Sequence, residues 1–183
     1  MNYRLLDHPF YKAWSCGEIT AEQLGKYHKS YAEFIELMPL FWEKALKGLN
    51  CDDQKGIEVV HDEKSHIPLW QLWSSGLPEF SEFPRMKNII NTFESMTASE
   101  LLGAIHAFEI QQPEVAKSKK QGLIEHYGYE AEKLTYFDEH MNEAEHIKFA
   151  MEIADKYADN QEFERGFAVG SELIYNGLDL FMN

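Results

Sequence analysis

The chain has 183 residues, 44% of them apolar, and its 31 acidic residues outnumber 17 basic ones for a formal net charge of −14. That charge argues against nucleic acid or an anionic membrane surface as a partner, because both need a positive face. We predict no membrane span, since no stretch approaches eighteen uncharged apolar residues. Two isolated cysteines and no leader-like segment predict a cytoplasmic protein.

Helix signals recur along the chain, whereas strand signals are nearly absent. Pro9 is well placed in the first turn of a short helix that we expect to end near Ser15. Thr20 and Gln23 have the spacing of a capping box and begin a long helix. We expect Pro39 to kink or break that helix.

The next predicted helix begins at Asp52 or Asp53, either of which can cap its first turn. Pro68 is expected to disturb this helix, and Gly76 to end it. A loop with the sequence LPEFSEFPR then leads into a helix through Phe93.

Thr97 and Glu100 form a second capping-box pattern and begin a buried helix. Pro113 interrupts the pattern, and the following helix is ended by Gly128. A long helix is then predicted from about Glu130 to Tyr157, followed by a last helix that begins at Asn160. The pattern predicts an all-α helical bundle that forms a single domain over residues 1–183.

The middle of the long helix, YFDEHMNEAEHIKF, contains ligand-type side chains at three-residue spacing. On a helix His140, Glu143 and His146 fan over about 120° of one side, interleaved with apolar residues. Imidazoles and a carboxylate on a partly buried face are suited to a transition metal. The alternative is a polar helix edge with half-exposed histidines.

Glu63 and His66 repeat the Glu-x-x-His spacing of the long helix. Two such units, with carboxylates from other helices, are typical of bundles that bind two metal ions. Glu109 is the best-placed further carboxylate, because its neighbours predict burial and a buried ionised Glu needs a cation, a metal or a proton. Three histidines and three carboxylates suit Fe or Mn. The alternatives are a surface Glu63 and a Glu109 paired with a lysine.

Several segments resemble one known family over nearly the whole chain: HPFYKAW, SHIPLWQLW, FEIQQPEVAKSKKQGLIEHYG, YFDEH…EHIKFA and GSELIYNGLDLF. They are similar to the heme-oxygenase-like superfamily of TenA- and PqqC-related proteins, and most similar to its CADD-like branch, which makes para-aminobenzoate. The resemblance implies about seven helices around a central pocket. It also implies a diiron or iron–manganese centre and, commonly, a homodimer or larger assembly.

The resemblance also implies roles for individual residues. Glu109 matches the central Glu ligand, His66 matches the ligand before the Pro and LW, and His140 and His146 match the two histidines of the last ligand helix. Glu143 stands where the family usually has Asp.

Four further matches lie outside the ligand set. Lys119 and Tyr136 match a lysine and a tyrosine near the centre, and Tyr11 and Tyr27 match two pocket tyrosines by spacing. One such tyrosine is itself the precursor in that branch, so these four residues are the candidate catalytic groups.

Two departures from the family leave alternatives open. Only two residues separate His140 from Glu143, where the family has three. Either the helix bulges to bring Glu143 into line, or that carboxylate is not a ligand. The family's first carboxylate falls at Val59, so Asp62 or Glu63 must replace it. Occupancy by two, one or no metal ions stays open.

The sequence therefore predicts an O2-activating di-metal oxidase that acts on a small molecule or on its own tyrosine, in para-aminobenzoate and folate supply. The first alternative is a TenA-like thiaminase that hydrolyses an aminopyrimidine. It is disfavoured because FEIQQPEV lacks the Cys nucleophile, although Glu172 could mimic the C-terminal carboxylate of that branch. The second alternative is a non-catalytic ligand-binding member of the same fold.

Overall fold

The computed structural model describes residues 3–74, 77–78, 80 and 82–182. All regular elements in these ranges are helical, which confirms the all-α prediction. The α-helices are α1 (Pro9–Ser15), α2 (Ala21–Gly48), α3 (Gln54–Leu72), α4 (Lys87–Ser95), α5 (Ala98–Glu109), α6 (Gln112–Tyr127), α7 (Thr135–Met141), α8 (Ala144–Tyr157) and α9 (Asn160–Gly177). Short 3-10 turns span Leu5–Asp7, Ala131–Lys133 and Leu178–Phe181. In this part of the chain, no helix is both long enough and apolar enough to cross a membrane.

The predicted helix starts are confirmed at the level of individual hydrogen bonds. Thr20 Oγ1 accepts from the Gln23 backbone N–H at 3.1 Å, and Gln23 Oε1 accepts from the Thr20 N–H at 2.9 Å. Thr97 and Glu100 form the same reciprocal pair at the start of α5. These bonds satisfy N–H groups that have no partner within the helix.

Neither helix ends at the proline where we expected a kink or break (Pro39) or a disturbance (Pro68), so the predicted break at Pro39 is wrong. α2 continues through Pro39 and α3 continues through Pro68. A proline inside a helix costs roughly 3 kcal/mol, and burial of the flanking α2 residues Met38 and Phe41 offsets a cost of that size. The predicted stop at Gly76 lies outside the described residues, and α3 already ends at Leu72.

The predicted long helix from Glu130 to Tyr157 is also wrong. A 3-10 turn and the two helices α7 and α8 replace it, with an interruption at Asn142 and Glu143. This interruption is one reason why the described residues form nine α-helices rather than about seven. The Asn142 side chain donates to the Asp138 carbonyl at 2.9 Å, which satisfies a carbonyl near the end of α7.

α5 is the central helix, and its residues 101–109 are all buried. It packs closely against α9 where Gly103 meets Phe163 and Gly166 meets the carbonyl of Glu100. At the third contact, a Cβ on Gly170 would lie 2.7 Å from Ala104 Cα. The close approach of the two helices fixes α5, and Glu109 at the end of α5 is thereby held inside the bundle.

Candidate metal centre

All six predicted ligands meet in the interior of the bundle. They come from four helices and one junction: α3, α5, α7, α8 and the connection between α7 and α8. Each side chain belongs to a buried residue with at most 8% exposure. The six residues are Glu63, His66, Glu109, His140, Glu143 and His146.

The first of two groups of potential ligand atoms contains two imidazoles and one carboxylate. His140 Nε2 lies 3.4 Å from Glu143 Oε1, and His66 Nδ1 lies 3.8 Å from the same oxygen. The three residues offer two nitrogen atoms and one oxygen within 4.8 Å of one another. We call this set the histidine-rich group.

The second group combines Glu63, Glu109, Glu143 and His146, again with ligand atoms within 4.8 Å of one another. His146 Nδ1 lies 3.7 Å from Glu63 Oε1 and 4.0 Å from Glu143 Oε1. We call this set the carboxylate-rich group. Glu143 belongs to both groups, so one carboxylate joins two adjacent sets of donors.

The helix interruption accounts for the position of Glu143. Asn142 and Glu143 have ψ angles of 12° and 23°, outside the regular α-helical range. The chain turns between α7 and α8, and the carboxylate points to the same interior space as His140 and His146. The short spacing in the sequence is therefore accommodated by a break in the helix rather than by exposure of Glu143.

The donor atoms fit a bound cation. Seven of them are buried without a hydrogen-bond partner among the described residues: Glu63 Oε1, His66 Nδ1, both oxygens of Glu109, both oxygens of Glu143, and His146 Nδ1. Buried polar atoms are rarely left unpaired, because each costs about 1–3 kcal/mol. A cluster of such atoms, all of ligand type, is what a centre of Fe or Mn ions requires.

The tautomer of His140 supports the same conclusion. Its Nδ1 lies 2.7 Å from the Tyr136 carbonyl oxygen, which can only accept, so Nδ1 carries the proton of the neutral ring. The Nε2 lone pair then faces the Glu143 carboxylate, and a proton or a cation between them removes the repulsion. Orientation of a ligand histidine by a backbone carbonyl is a common feature of metal sites.

Burial controls the proton affinities of the cluster. It raises the pKa of Glu63, Glu109 and Glu143 well above the usual carboxyl value, and the neighbouring carboxylates add to the rise. It lowers the pKa of His66 to about 4 and that of His140 well below the usual imidazole value. Burial and the neighbouring carboxylates therefore favour the protonated carboxyl groups when no cation is present, and a bound cation favours their ionised form.

Glu63 and Asp62 have different positions. Glu63 lies inside the carboxylate-rich group, whereas the Asp62 side chain is 55% exposed. Asp62 Oδ2 lies 3.6 Å from His146 Nε2, on the side of the ring away from Nδ1. The geometry favours Glu63 as the first carboxylate ligand.

Lys119 lies in an aromatic pocket beside the cluster. Its Nζ is 4.7 Å from the ring centre of Tyr31, 5.3 Å from that of Tyr27 and 5.4 Å from that of Tyr11. Burial lowers the pKa of Lys119 to about 7, and no described carboxylate lies within 4 Å of Nζ. A large fraction of the amine is therefore neutral near pH 7, and a neutral amine is nucleophilic.

The other candidate catalytic residues adjoin this amine or the metal ligands. The hydroxyl oxygens of Tyr11 and Tyr27 are 3.4 Å apart. The Tyr136 ring is stacked on the His140 imidazole, with 3.9 Å between ring centres. Of the three candidate tyrosines, two therefore lie beside Lys119 and the third lies beside the candidate metal ligands.

Sequence reasoning missed two residues of this pocket. Tyr31 is the ring nearest to Lys119, and Trp70 lies between Tyr31 and Tyr136, with ring centres at 5.2 and 4.8 Å. A signal existed for both: Tyr31 follows Tyr27 by four residues and Trp70 follows the candidate ligand His66 by four, so each shares a helix face with a candidate.

The geometry of the described residues does not favour the thiaminase alternative. Glu172 is exposed on α9, and Cys16 is also exposed. Cys51 is buried, but it lies just beyond the end of α2 and lines a surface groove with Leu46 and Ile57. A thiol nucleophile needs a base and a substrate pocket around it, and the described candidates for both lie elsewhere.

Comparisons with known proteins agree with this chemistry. A family described as "Iron-containing redox enzyme" matches residues 42–175. A protein named 4-aminobenzoate synthase from Chlamydia muridarum is 30% identical, over 99% of this chain and 86% of its own length. Its namesake from Nitrosomonas europaea is 28% identical, over 86% and 76%. A TenA homolog from Pseudomonas syringae superimposes with a TM-score of 0.76 at 13% identity, covering 98% of this chain and 86% of the other, which shows the fold alone.

Proposed function

This chain belongs to the family of iron-containing redox enzymes, and on that premise we propose that it is an O2-activating di-metal oxidase that makes 4-aminobenzoate. The observation that carries the proposal is the cluster of seven unpaired donor atoms in two groups joined by Glu143. Relatives named 4-aminobenzoate synthase support the product. That residues 1–183 form a single domain remains a prediction. Assembly into a homodimer or a larger oligomer also remains a prediction.

In this proposal the six clustered residues hold two ions, as a diiron or an iron–manganese pair. The histidine-rich group suits iron, and the carboxylate-rich group suits either metal. When bound, the metal centre would activate O2, which is the oxidant of the reaction and takes up the electrons released by the substrate. The surrounding protein keeps water from the centre, because all six residues are buried.

We propose that the substrate is a tyrosine of the chain. 4-Aminobenzoate contains a para-substituted benzene ring and an amine nitrogen, so its formation needs a phenol-like ring and a nitrogen source. Tyr11 and Tyr27 present two rings at about the same distance from Lys119 Nζ. The neutral amine of Lys119 is the candidate nitrogen source, and one of the two tyrosines is the candidate ring source.

Tyr136 has a different proposed role. Its ring is stacked on the His140 imidazole and meets the Trp70 ring edge to face, so it contacts a candidate ligand directly. Its backbone carbonyl fixes the His140 tautomer. A small molecule from solution is the alternative substrate, with the same residues lining its site.

The experiment loads metal-free protein anaerobically with Fe(II) and Mn(II), admits O2, and analyses the peptides and the filtrate by mass spectrometry. We expect no more than one 4-aminobenzoate per chain and a mass loss in the peptide of Tyr11 or Tyr27. Phenylalanine at the consumed position, or Lys119→Met, abolishes the product. Lys120→Met is the matched control, since Lys120 instead pairs with Asp138.

Two outcomes contradict the proposal. If an added substrate yields many product molecules per chain while Tyr11 and Tyr27 stay intact, the substrate is a small molecule and not a tyrosine of the chain. Loaded protein that forms no product and keeps every tyrosine would contradict the synthase itself.

A further inference from the structure

The His146 ring on α8 is oriented by different contacts from those of the His140 ring on α7. The His140 ring is fixed by the Tyr136 carbonyl, a backbone group that no substitution removes. His146 lies on α8, beyond the interruption, and its Nδ1 is a buried atom without a hydrogen-bond partner among the described residues. Its position depends on what contacts the other side of the ring.

That other side faces a carboxylate. His146 Nε2 lies 3.6 Å from Asp62 Oδ2, whereas Nδ1 lies 3.7 Å from Glu63 Oε1 on the interior side. Asp62 and Glu63 are consecutive residues of α3, so this helix contacts both nitrogens of one imidazole. The interior nitrogen meets a candidate ligand, and the outer nitrogen meets a residue outside the cluster.

We infer that Asp62 is a positioning residue that orients His146 for metal binding. The carboxylate favours a proton on Nε2, which leaves the Nδ1 lone pair directed at the carboxylate-rich group. A distance of 3.6 Å is longer than a hydrogen bond, and metal binding at Nδ1 strengthens the attraction because it makes the Nε2–H more acidic. The inference rests on the proposed function, since it requires a metal at His146.

The size of the effect follows from the exposure of Asp62. Removing the partner of a ligand histidine weakens metal affinity by about 10–100-fold. The Asp62 side chain is 55% exposed, and solvent screens its charge. We therefore expect the lower end, about tenfold, and only at the carboxylate-rich group, because the histidine-rich group does not include His146.

The test titrates metal-free protein with Mn(II) alone under anaerobic conditions and counts free Mn(II) by electron paramagnetic resonance. Wild type is expected to bind two ions per chain. In Asp62→Ala one site keeps its affinity and the other loses about tenfold, while Asp62→Asn, which keeps an oxygen acceptor, loses less. Glu58→Gln is the matched control, because Glu58 is exposed one turn earlier on α3 and the change removes the same charge.

The outcomes separate the two claims. If wild type binds two ions and Asp62→Ala binds them as Glu58→Gln does, Asp62 has no positioning role and the metal centre stands. An equal loss at both sites would also overturn the inference, since it would indicate general damage to the fold. If wild type binds well under one ion per chain, the proposed function fails first.

Discussion

At the scale of single residues, the site depends on polar groups held where water cannot reach them. Burying a polar group without a partner lowers the stability of the protein. Glu109 shows this most clearly, because both of its carboxyl oxygens are buried without a hydrogen-bond partner among the described residues. A carboxyl group in that state destabilises the metal-free protein. A bound cation would compensate for this loss of stability, which explains why a carboxyl group occupies the position.

Glu109→Leu tests this cost. We expect the metal-free variant to gain about 1–3 kcal/mol in free energy of unfolding, because an unpaired buried polar group is replaced by an apolar one. The same change removes a donor from the carboxylate-rich group. Adding Mn(II) should therefore raise the free energy of unfolding less in the variant than in wild type. Urea denaturation with chelator and with Mn(II) measures both effects.

The matched control for that experiment is Glu145→Leu, since Glu145 is exposed on α8. Its effect should stay within about 0.5 kcal/mol in either condition. A Glu109→Leu protein that is less stable without metal, and that gains as much from metal as wild type, would contradict the assignment.

Lys119 carries the pH dependence of the pocket. Its pKa is about 7 in the folded chain and near 10.5 in the unfolded chain, so the unfolded chain binds more protons between these values. This difference makes the stability of the folded state rise with pH across that window, by at most about 1.4 kcal/mol per pH unit. The cost of burying the amine is therefore greatest at and below about pH 7 and disappears as pH rises towards 10.5.

Lys119→Met removes this pH dependence while keeping most of the side-chain volume. The variant should exceed wild type in stability most at pH 7, and the gap should narrow steadily towards pH 9. Denaturation of metal-free protein at pH 7, 8 and 9 measures the gap. If the free energies of unfolding of the two proteins change with pH in parallel, the amine does not titrate in this range.

At the scale of secondary-structure elements, the crossing of α5 and α9 sets the position of Glu109. A Cβ on Gly166 would overlap the Glu100 carbonyl, a backbone atom that cannot rotate away. We expect Gly166→Ala to destabilise the protein by about 3 kcal/mol and to weaken metal binding, since α5 must shift. Urea denaturation and Mn(II) titration measure the two effects.

Gly128→Ala is the control for a general glycine effect. Gly128 has a φ of 72° and no described atom within 4 Å of its built Cβ, so only the backbone preference is lost, about 1 kcal/mol. Equal losses for the two variants, with unchanged metal binding in both, would show that the crossing does not control the site.

The elements also show what the sequence can and cannot predict. Capping boxes at Thr20 and Thr97 predicted the starts of α2 and α5, because the signal is local. Pro39 and Pro68 do not end their helices, since packing against the rest of the bundle outweighs a local preference. The break before Glu143 could be posed only as a question, because it depends on contacts between distant helices.

At the scale of the whole molecule, the residue types and the resemblance of several segments to a known family are enough to identify the family from the sequence. Helix spacing alone placed His140, Glu143 and His146 on one side of a helix, but it could not show that Glu63, His66 and Glu109 face them. Side-chain direction across helices is set by packing angles, which one sequence does not specify. For the same reason the sequence alone does not show that Tyr31 and Trp70 contact the site.

We propose that Glu143 belongs to two adjacent metal sites inside the bundle and joins them. Anomalous X-ray diffraction from crystals of metal-free protein soaked with Mn(II) tests it most directly. We expect two peaks, one among the three residues of the histidine-rich group and the other among the carboxylate-rich group. Absence of any peak at the six residues, or manganese bound only at surface carboxylates, would contradict it.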